Sequence, residues 1–270
     1  MKNLKILRVL TILLAISLAS VSLAGAFFPD TYVRDSPSIA AQGVGQDLVD
    51  LFIAVPLLLI SFFYAGRGSR VASLLYGGTL FYIVYSFIIY CFGVNFNQFF
   101  LLYCLTLSLS LYAFIIVVSE LRQMRVADWF EAAPVKLVSV FLIVAALIFY
   151  VLWLKSIVPA VIHNEIPREV SDYGLLVNPV HVIDLVFALP GMIIGAVLIR
   201  RKQGLGYIIA SIALVFMVLL TLALAAMVIM LVVRDINEDY TVAIVFAVLA
   251  FASILFSALL FSRISIKGST

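Results

Sequence analysis

Charged residues are scarce in this chain. Only 11% of its 270 residues are Asp, Glu, Lys or Arg, whereas 65% are hydrophobic, and a soluble domain carries about one quarter charged residues. A single water-soluble core of this size would still need a polar surface, so the composition excludes a soluble globular protein and indicates a chain whose solvent is lipid. Lys/Arg-rich tracts and nucleic-acid-binding motifs are also missing, and nucleic acid is therefore not an expected partner.

Cysteine is almost absent. Cys91 and Cys104 have the spacing of neither a metal site nor a redox pair, and we expect both to be buried thiols. A disulfide between them stays open, although the two residues are expected at different depths in the membrane.

Long apolar runs dominate what is present. A membrane-spanning helix needs about 20 apolar residues, and polar turns such as residues 66–70 and 200–204 separate the runs. No internal repeat is evident along the chain. The sequence predicts an all-α, polytopic bundle that forms one transmembrane domain over residues 1–270, with eight spanning helices at 6–28, 48–65, 71–92, 98–119, 136–157, 180–200, 205–233 and 241–262.

The distribution of Lys and Arg predicts the orientation, because cytoplasmic loops carry an excess of basic residues. With the N-terminus inside, thirteen of the 17 Lys and Arg residues fall on the cytoplasmic side. We therefore expect both termini in the cytoplasm, and we expect the cell membrane, specifically the cytoplasmic membrane of a prokaryote, as the location. The cytoplasmic set comprises Lys2, Lys5, Arg8, Arg67, Arg70, Arg122, Arg125, Lys136, Arg200, Arg201, Lys202, Arg263 and Lys267.

The first apolar segment has two interpretations. Lys2, Lys5 and Arg8 precede an apolar run that ends in the small residues 22–26, which is the pattern of a secretory signal peptide. The run is long for a signal, so we expect a retained helix. Cleavage would leave seven helices in the same orientation.

Two further segments have a distinct character. Residues 120–136 mix Trp129 and Phe130 with charged residues and are predicted to form a short helix in the cytoplasmic headgroup layer. Residues 158–179 are predicted to form an extracytoplasmic loop. In the sixth helix, Gly191 and Gly195 form a GxxxG pair, which is typical of close packing between membrane helices.

Polar residues near the outer helix ends are the functional candidates, because a charge inside a bilayer costs roughly 2.5–3.5 kcal/mol. Asn178, His181 and Asp184 are spaced i, i+3 and i+6 on one face of the sixth helix. Asp47 and Asp50 share a face of the second helix at a similar depth. We hypothesise that these residues converge with two residues of a turn on one outward-facing polar cavity; the binding set is Asp47, Asp50, Asn95, Asn97, Asn178, His181 and Asp184.

The chemistry of this set has alternatives. His181 and Asp184 form a proton-transfer pair, or they bind a divalent cation together with Asp50, or they only hydrogen-bond neighbouring helices. The two acids of the second helix are favoured there by the helix dipole in any case. No motif identifies a cofactor.

The function that this pattern favours is binding or transport of a small solute or cation. The apparent lack of a repeat counts against a transporter. One alternative is a membrane-embedded, metal-dependent enzyme acting on a lipid-like substrate, although no nucleophile stands beside a base. Another is a structural or accessory subunit that packs against a membrane protein partner. The surrounding membrane lipids are expected contacts under every interpretation.

Overall fold

The chain forms an all-α bundle. The computed structural model describes residues 2–236 and 239–265; Lys267, one of the predicted cytoplasmic residues, lies outside them. In the described part, eight helices are long and apolar enough to cross a membrane, which confirms the predicted fold class and helix number. They are α1 Leu4–Phe27, α2 Pro37–Gly66, α3 Arg70–Gly93, α4 Phe100–Arg122, α5 Val135–His163, α6 Pro179–Arg200, α7 Gly204–Val233 and α8 Thr241–Phe261.

The two ends of the bundle differ in charge. Successive helices are antiparallel, so the loops alternate between the two ends. Of the 16 Lys and Arg residues in the described part, twelve lie at the end that carries residues 67–69 and 201–203, which we call the basic end. The opposite end, formed by residues 28–36, 94–99 and 164–178, is called the cavity end.

Helix α2 begins eleven residues before its predicted start. Ser36 caps it by accepting a hydrogen bond from the Ile39 amide at 3.3 Å, and Pro37 occupies its first turn, where a missing N–H costs nothing. At the same end α5 continues through Pro159 to His163. The predicted loop 158–179 is therefore shorter than expected and contains one helical turn, Arg168–Ser171.

The predicted headgroup-layer helix over residues 120–136 is wrong. After α4 the chain makes only a 3-10 turn, Val126–Trp129. Trp129 is 8% exposed, and the ring of Phe130 stacks on Tyr207 of α7 with centroids 4.6 Å apart. The apolar side chains of this segment bury against the basic end of the bundle, so they do not form the apolar face of a separate helix.

Helices α2 and α6 share a sequence and an irregularity. Residues 50–56 read DLFIAVP and residues 184–190 read DLVFALP. In both helices the first five of these residues form a π turn, Asp50–Ala54 and Asp184–Ala188, in which the next residue donates its N–H to the carbonyl of the aspartate. Pro56 and Pro190 follow each turn and remove one backbone donor. Such π turns occur frequently at functional sites.

The packing repeats as well. In the first four helices, α1 packs against α2 and α4, and α3 packs against α2 and α4. In the last four, α5 packs against α6 and α8, and α7 packs against α6 and α8. The bundle thus consists of two four-helix units in which the equivalent helices are in contact, with α3 against α7 at the centre. The expectation that the chain has no internal repeat is wrong.

A constant offset of 134 positions relates the two units over these helices. Thirteen of the 15 buried positions of α3 fall on buried positions of α7 when this offset is added. The buried residues Asp50, Ala54 and Leu58 of α2 likewise fall on the buried residues Asp184, Ala188 and Met192 of α6. The agreement without a gap shows that the shared heptapeptide marks equivalent positions of two units with the same fold.

Only one glycine of the GxxxG pair of α6 packs against another helix. A Cβ atom added at Gly195 would lie 2.7 Å from a methyl carbon of Ile209 in α7, whereas one at Gly191 would meet nothing within 4 Å. Gly195 therefore permits the close approach of α6 and α7, and Gly191 plays no part in it.

Candidate functional site

A cavity of about 380 Å³ lies between the two units at the cavity end. Helices α2, α3, α5, α6 and α7 line it together with the loop that precedes α6. Five pairs of equivalent positions of the two units line it: Ile39 and Tyr173, Gln46 and Val180, Ser86 and Leu220, Tyr90 and Leu224, Gly93 and Met227. Helix α7 contributes only apolar residues, Leu220, Leu224 and Met227, whereas polar residues come from both units, among them Gln46 and Ser86 of the first and Glu169 and Asn178 of the second. The polar cavity predicted from the sequence therefore also has an apolar side, formed by α7.

Asp50 lies directly behind Gln46, which lines the cavity. It is 1% exposed, and its Oδ1 atom accepts hydrogen bonds from Tyr82 Oη at 2.7 Å and from Gln46 Nε2 at 3.1 Å. Gln46 Nε2 also lies 3.3 Å from Ser86 Oγ. A buried carboxylate requires such donors. Gln46 and Ser86 line the cavity, so they connect it to Asp50.

Asp47 occupies a closed pocket one turn away. It is fully buried and accepts hydrogen bonds from Tyr32 and from Tyr90 Oη, the latter at 2.9 Å. Burial and the neighbouring Asp47 raise the pKa of Tyr32, so its hydroxyl remains a donor. Gly25 of α1 lies against this pocket, where any Cβ would overlap the carboxyl group of Asp47.

Asp184 is the equivalent acid of the second unit. It is 2% exposed and accepts hydrogen bonds from Tyr85 Oη at 3.0 Å and Trp153 Nε1 at 2.7 Å. The ring of His181 lies 4.8 Å from that of Trp153. His181 and Asp184 thus both contact Trp153, and no hydrogen bond between the two is found among the described residues. The direct pair expected from their spacing does not form.

Asn178 begins α6. Its Oδ1 atom accepts a hydrogen bond from the Val180 amide at 2.9 Å, and its Nδ2 atom lies 3.5 Å from His181 Nε2. Asn178 and His181 both line the cavity. The structure therefore brings these two predicted residues to the site, with Asp184 buried behind them.

Asn95 and Asn97 do not line the cavity. The backbone amide of Asn95 donates to Asp35 at 2.8 Å, and the side chain of Asn97 donates to the Thr31 carbonyl at 3.2 Å. Burial raises the pKa of Asp35, against the lowering effect of the hydrogen bonds from Asn95. Both asparagines fasten the loop between α1 and α2, because the turn that carries them packs on that loop. Their predicted place in the cavity is wrong.

The metal interpretation gains no geometric support. Within residues 2–236 and 239–265, no group of three or more His, Cys, Asp or Glu side chains is close enough to hold a metal ion. Of the three candidate ligands, Asp50 and Asp184 accept hydrogen bonds from tyrosine, glutamine and tryptophan, and His181 packs on an indole.

Helix α3 donates hydrogen bonds to the acids of both units at the site. The sequence did not predict this arrangement. Tyr82 and Tyr90 donate to the acids of the first unit, whereas Tyr85 donates to Asp184 of the second. Trp153 of α5 and Glu169 of the loop also line the cavity. The tyrosines resemble ordinary interfacial residues; only the shared DLxxAxP heptapeptide indicated that their partners were equivalent.

Comparisons with protein-family models, with curated proteins and with solved structures find no match for this chain. The class of this protein, a multi-pass helical bundle of the membrane type, therefore follows from its fold and cavity alone.

Proposed function

We propose that this protein binds a small amphipathic solute in the interface cavity and moves it across the cell membrane. The single observation that carries the proposal is the position of the cavity. It lies between two equivalent units and is lined by equivalent residues of both. Transporters built from repeats bind their substrates at the interface between the repeats.

Two further features support translocation. Two equivalent helices among those that line the cavity, α2 and α6, both carry a π turn followed by proline. Interrupted helices at corresponding positions of two repeats are the sequence feature that points to a transporter's site. The described hydrogen bonds across the unit interface lie near its two ends, as between Tyr85 and Asp184 at the cavity end and between Arg70 and Ser265 at the basic end. Between them α2 and α3 pack on α7 through mostly apolar side chains. A rigid-body movement of one unit against the other would break these hydrogen bonds and slide the packed helices past each other.

The orientation forms part of the proposal. Because positive residues concentrate at one end, we place the basic end in the cytoplasm and the cavity end outside. The solute then enters the cavity from outside in the conformation described here, and movement of the units exposes the same cavity to the cytoplasm.

Cysteine accessibility in cells and in inverted vesicles tests both the translocation and the orientation. Cys91 and Cys104 are replaced by Ser, and a reporter, Ser86→Cys, is placed in the cavity wall. An impermeant thiol reagent should modify it in intact cells and, more slowly, in inverted vesicles. Two controls lie at exposed positions. Glu165→Cys at the cavity end should react only in cells, and Gln203→Cys at the basic end should react only in inverted vesicles.

Two other results would each contradict one part of the proposal. Reaction of Ser86→Cys from one side alone would leave a binding protein, such as a receptor or an enzyme, and would overturn translocation. Reaction of both controls from the same side would overturn the antiparallel arrangement of the helices.

A further inference from the structure

The titratable groups at the cavity are mainly acids. Behind the lining residues Gln46, Tyr90 and Tyr85 lie the buried acids Asp50, Asp47 and Asp184, each accepting a hydrogen bond from the residue in front of it. No Lys or Arg belongs to the described lining, and His181 is its only basic side chain. Four carboxyl groups, including Glu169, therefore face or stand next to a cavity whose described wall holds a single basic residue.

Glu169 brings a carboxylate to the cavity itself. It accepts a hydrogen bond from Ser156 of α5. Burial raises the pKa of Glu169, but the hydrogen bonds from Ser156 and from its own backbone amide, together with the nearby His181, lower it by more. The net effect is a pKa below the ordinary value of 4.5. At neutral pH the side chain is ionised.

Aromatic rings surround the same space. Trp153, Tyr85, Tyr90 and Tyr173 all line the cavity, and the hydroxyl of Tyr173 accepts a hydrogen bond from Gln42 of α2 at 3.3 Å, which closes the loop over the cavity. The faces of such rings attract cations, most strongly in a desolvated site. The side formed by α7, with Leu220 and Leu224, offers no hydrogen-bonding side chain and suits hydrocarbon.

We propose that the solute is a small organic cation with an apolar body, either an amine or a quaternary ammonium compound. Its charged group binds among the aromatic rings near Glu169, and its hydrocarbon part packs on the apolar side chains of α7. This inference rests on the proposed function, since it assumes that the cavity is the solute site.

Tryptophan fluorescence provides a direct test, because the chain has two tryptophans and only Trp153 lines the cavity. In purified Trp129→Phe protein, benzyltrimethylammonium is titrated alongside benzyl alcohol and benzoate, which share the ring but are neutral and anionic. Because the cation is permanent, no ligand proton affects the result. We expect saturable quenching by the cation at a Kd at least about tenfold lower than that of the alcohol, which corresponds to about 1.4 kcal/mol.

A matched pair of loop variants locates the charge. Glu169→Gln should weaken binding of the cation by about tenfold and leave the alcohol unaffected, while Asp172→Asn, an exposed position of the same loop, should change neither. Equal or tighter binding of the alcohol or the benzoate would overturn the cationic class. So would the absence of quenching by all three compounds. Labelling of Ser86→Cys from both sides tests translocation independently of the ligand. The experiments therefore distinguish failure of the cationic-ligand proposal from failure of the transport proposal.

Discussion

Asp50 and Asp184 stand at equivalent places in two units of the same fold. Each opens a five-residue π turn, each precedes a proline by six positions, and each is at most 2% exposed. Their partners differ: Asp50 is held by residues of its own unit, Gln46 and Tyr82. Asp184 instead accepts a hydrogen bond from Tyr85 of the other unit. This difference makes Asp184 the acid whose bonds must change if the units move.

The bond between Tyr85 and Asp184 should couple the units energetically. A double-mutant cycle with Tyr85→Phe and Asp184→Asn is expected to show a coupling energy of about 0.5–3 kcal/mol, the range for residues in direct contact. The measurement is the free energy of unfolding in detergent. Additive effects of the two substitutions would show that the bond contributes nothing to holding the units together.

Loss of the Tyr82 hydroxyl should destabilise the protein. Tyr82→Phe leaves Asp50 with one donor fewer in a fully buried site, and an unsatisfied buried group costs about 1–3 kcal/mol. Thermal unfolding followed by circular dichroism measures the effect. Tyr112→Phe is the control: Tyr112 is 59% exposed, and its substitution should change stability by less than about 0.5 kcal/mol. Equal effects would contradict the assigned role of Tyr82.

Two glycines should respond oppositely to alanine. A Cβ at Gly45 would lie 2.6 Å from backbone atoms of Ala226 and Met227 in α7, so Gly45→Ala forces α2 and α7 apart and should cost about 1–3 kcal/mol. Gly191→Ala meets nothing within 4 Å and should be neutral or stabilise α6 by up to about 1 kcal/mol. Thermal unfolding midpoints compare the two, and a neutral Gly45→Ala would contradict the close crossing.

The loop over the cavity should detach in acid. The pKa of Glu169 is lowered in the folded protein, so its bond with Ser156 stabilises the closed loop above the ordinary value of 4.5 and is lost as the pH falls through the lowered pKa. Fluorescence of Trp153 in the Trp129→Phe protein reports this opening. The same protein carrying Ser156→Ala is the control and should show no such transition; an identical transition in both would rule out the bond as its cause.

The amino-acid sequence alone determined the class, the number of helices and the charge asymmetry, because hydropathy and Lys/Arg placement are local properties of a chain in lipid. It also predicted that Asn178 and His181 lie close together, since both lie at the start of the same helix, and both line the cavity. The start of α2 was misplaced because residues 37–47 are only weakly apolar, and their helix depends on a cap and on packing.

The tertiary structure alone decided which polar residues meet. Asn95, Asn97 and Asp47 were predicted to share a cavity with Asp50 and Asp184, yet the asparagines bind a loop and Asp47 is enclosed by Tyr32 and Tyr90. The repeat was also hidden, since four identities in a heptapeptide are lost in an apolar background. It becomes visible only in the structure, where both heptapeptides adopt the same π turn in equivalently packed helices. The position of a residue along a membrane helix follows from that helix alone, whereas its neighbours depend on the packing of all eight helices.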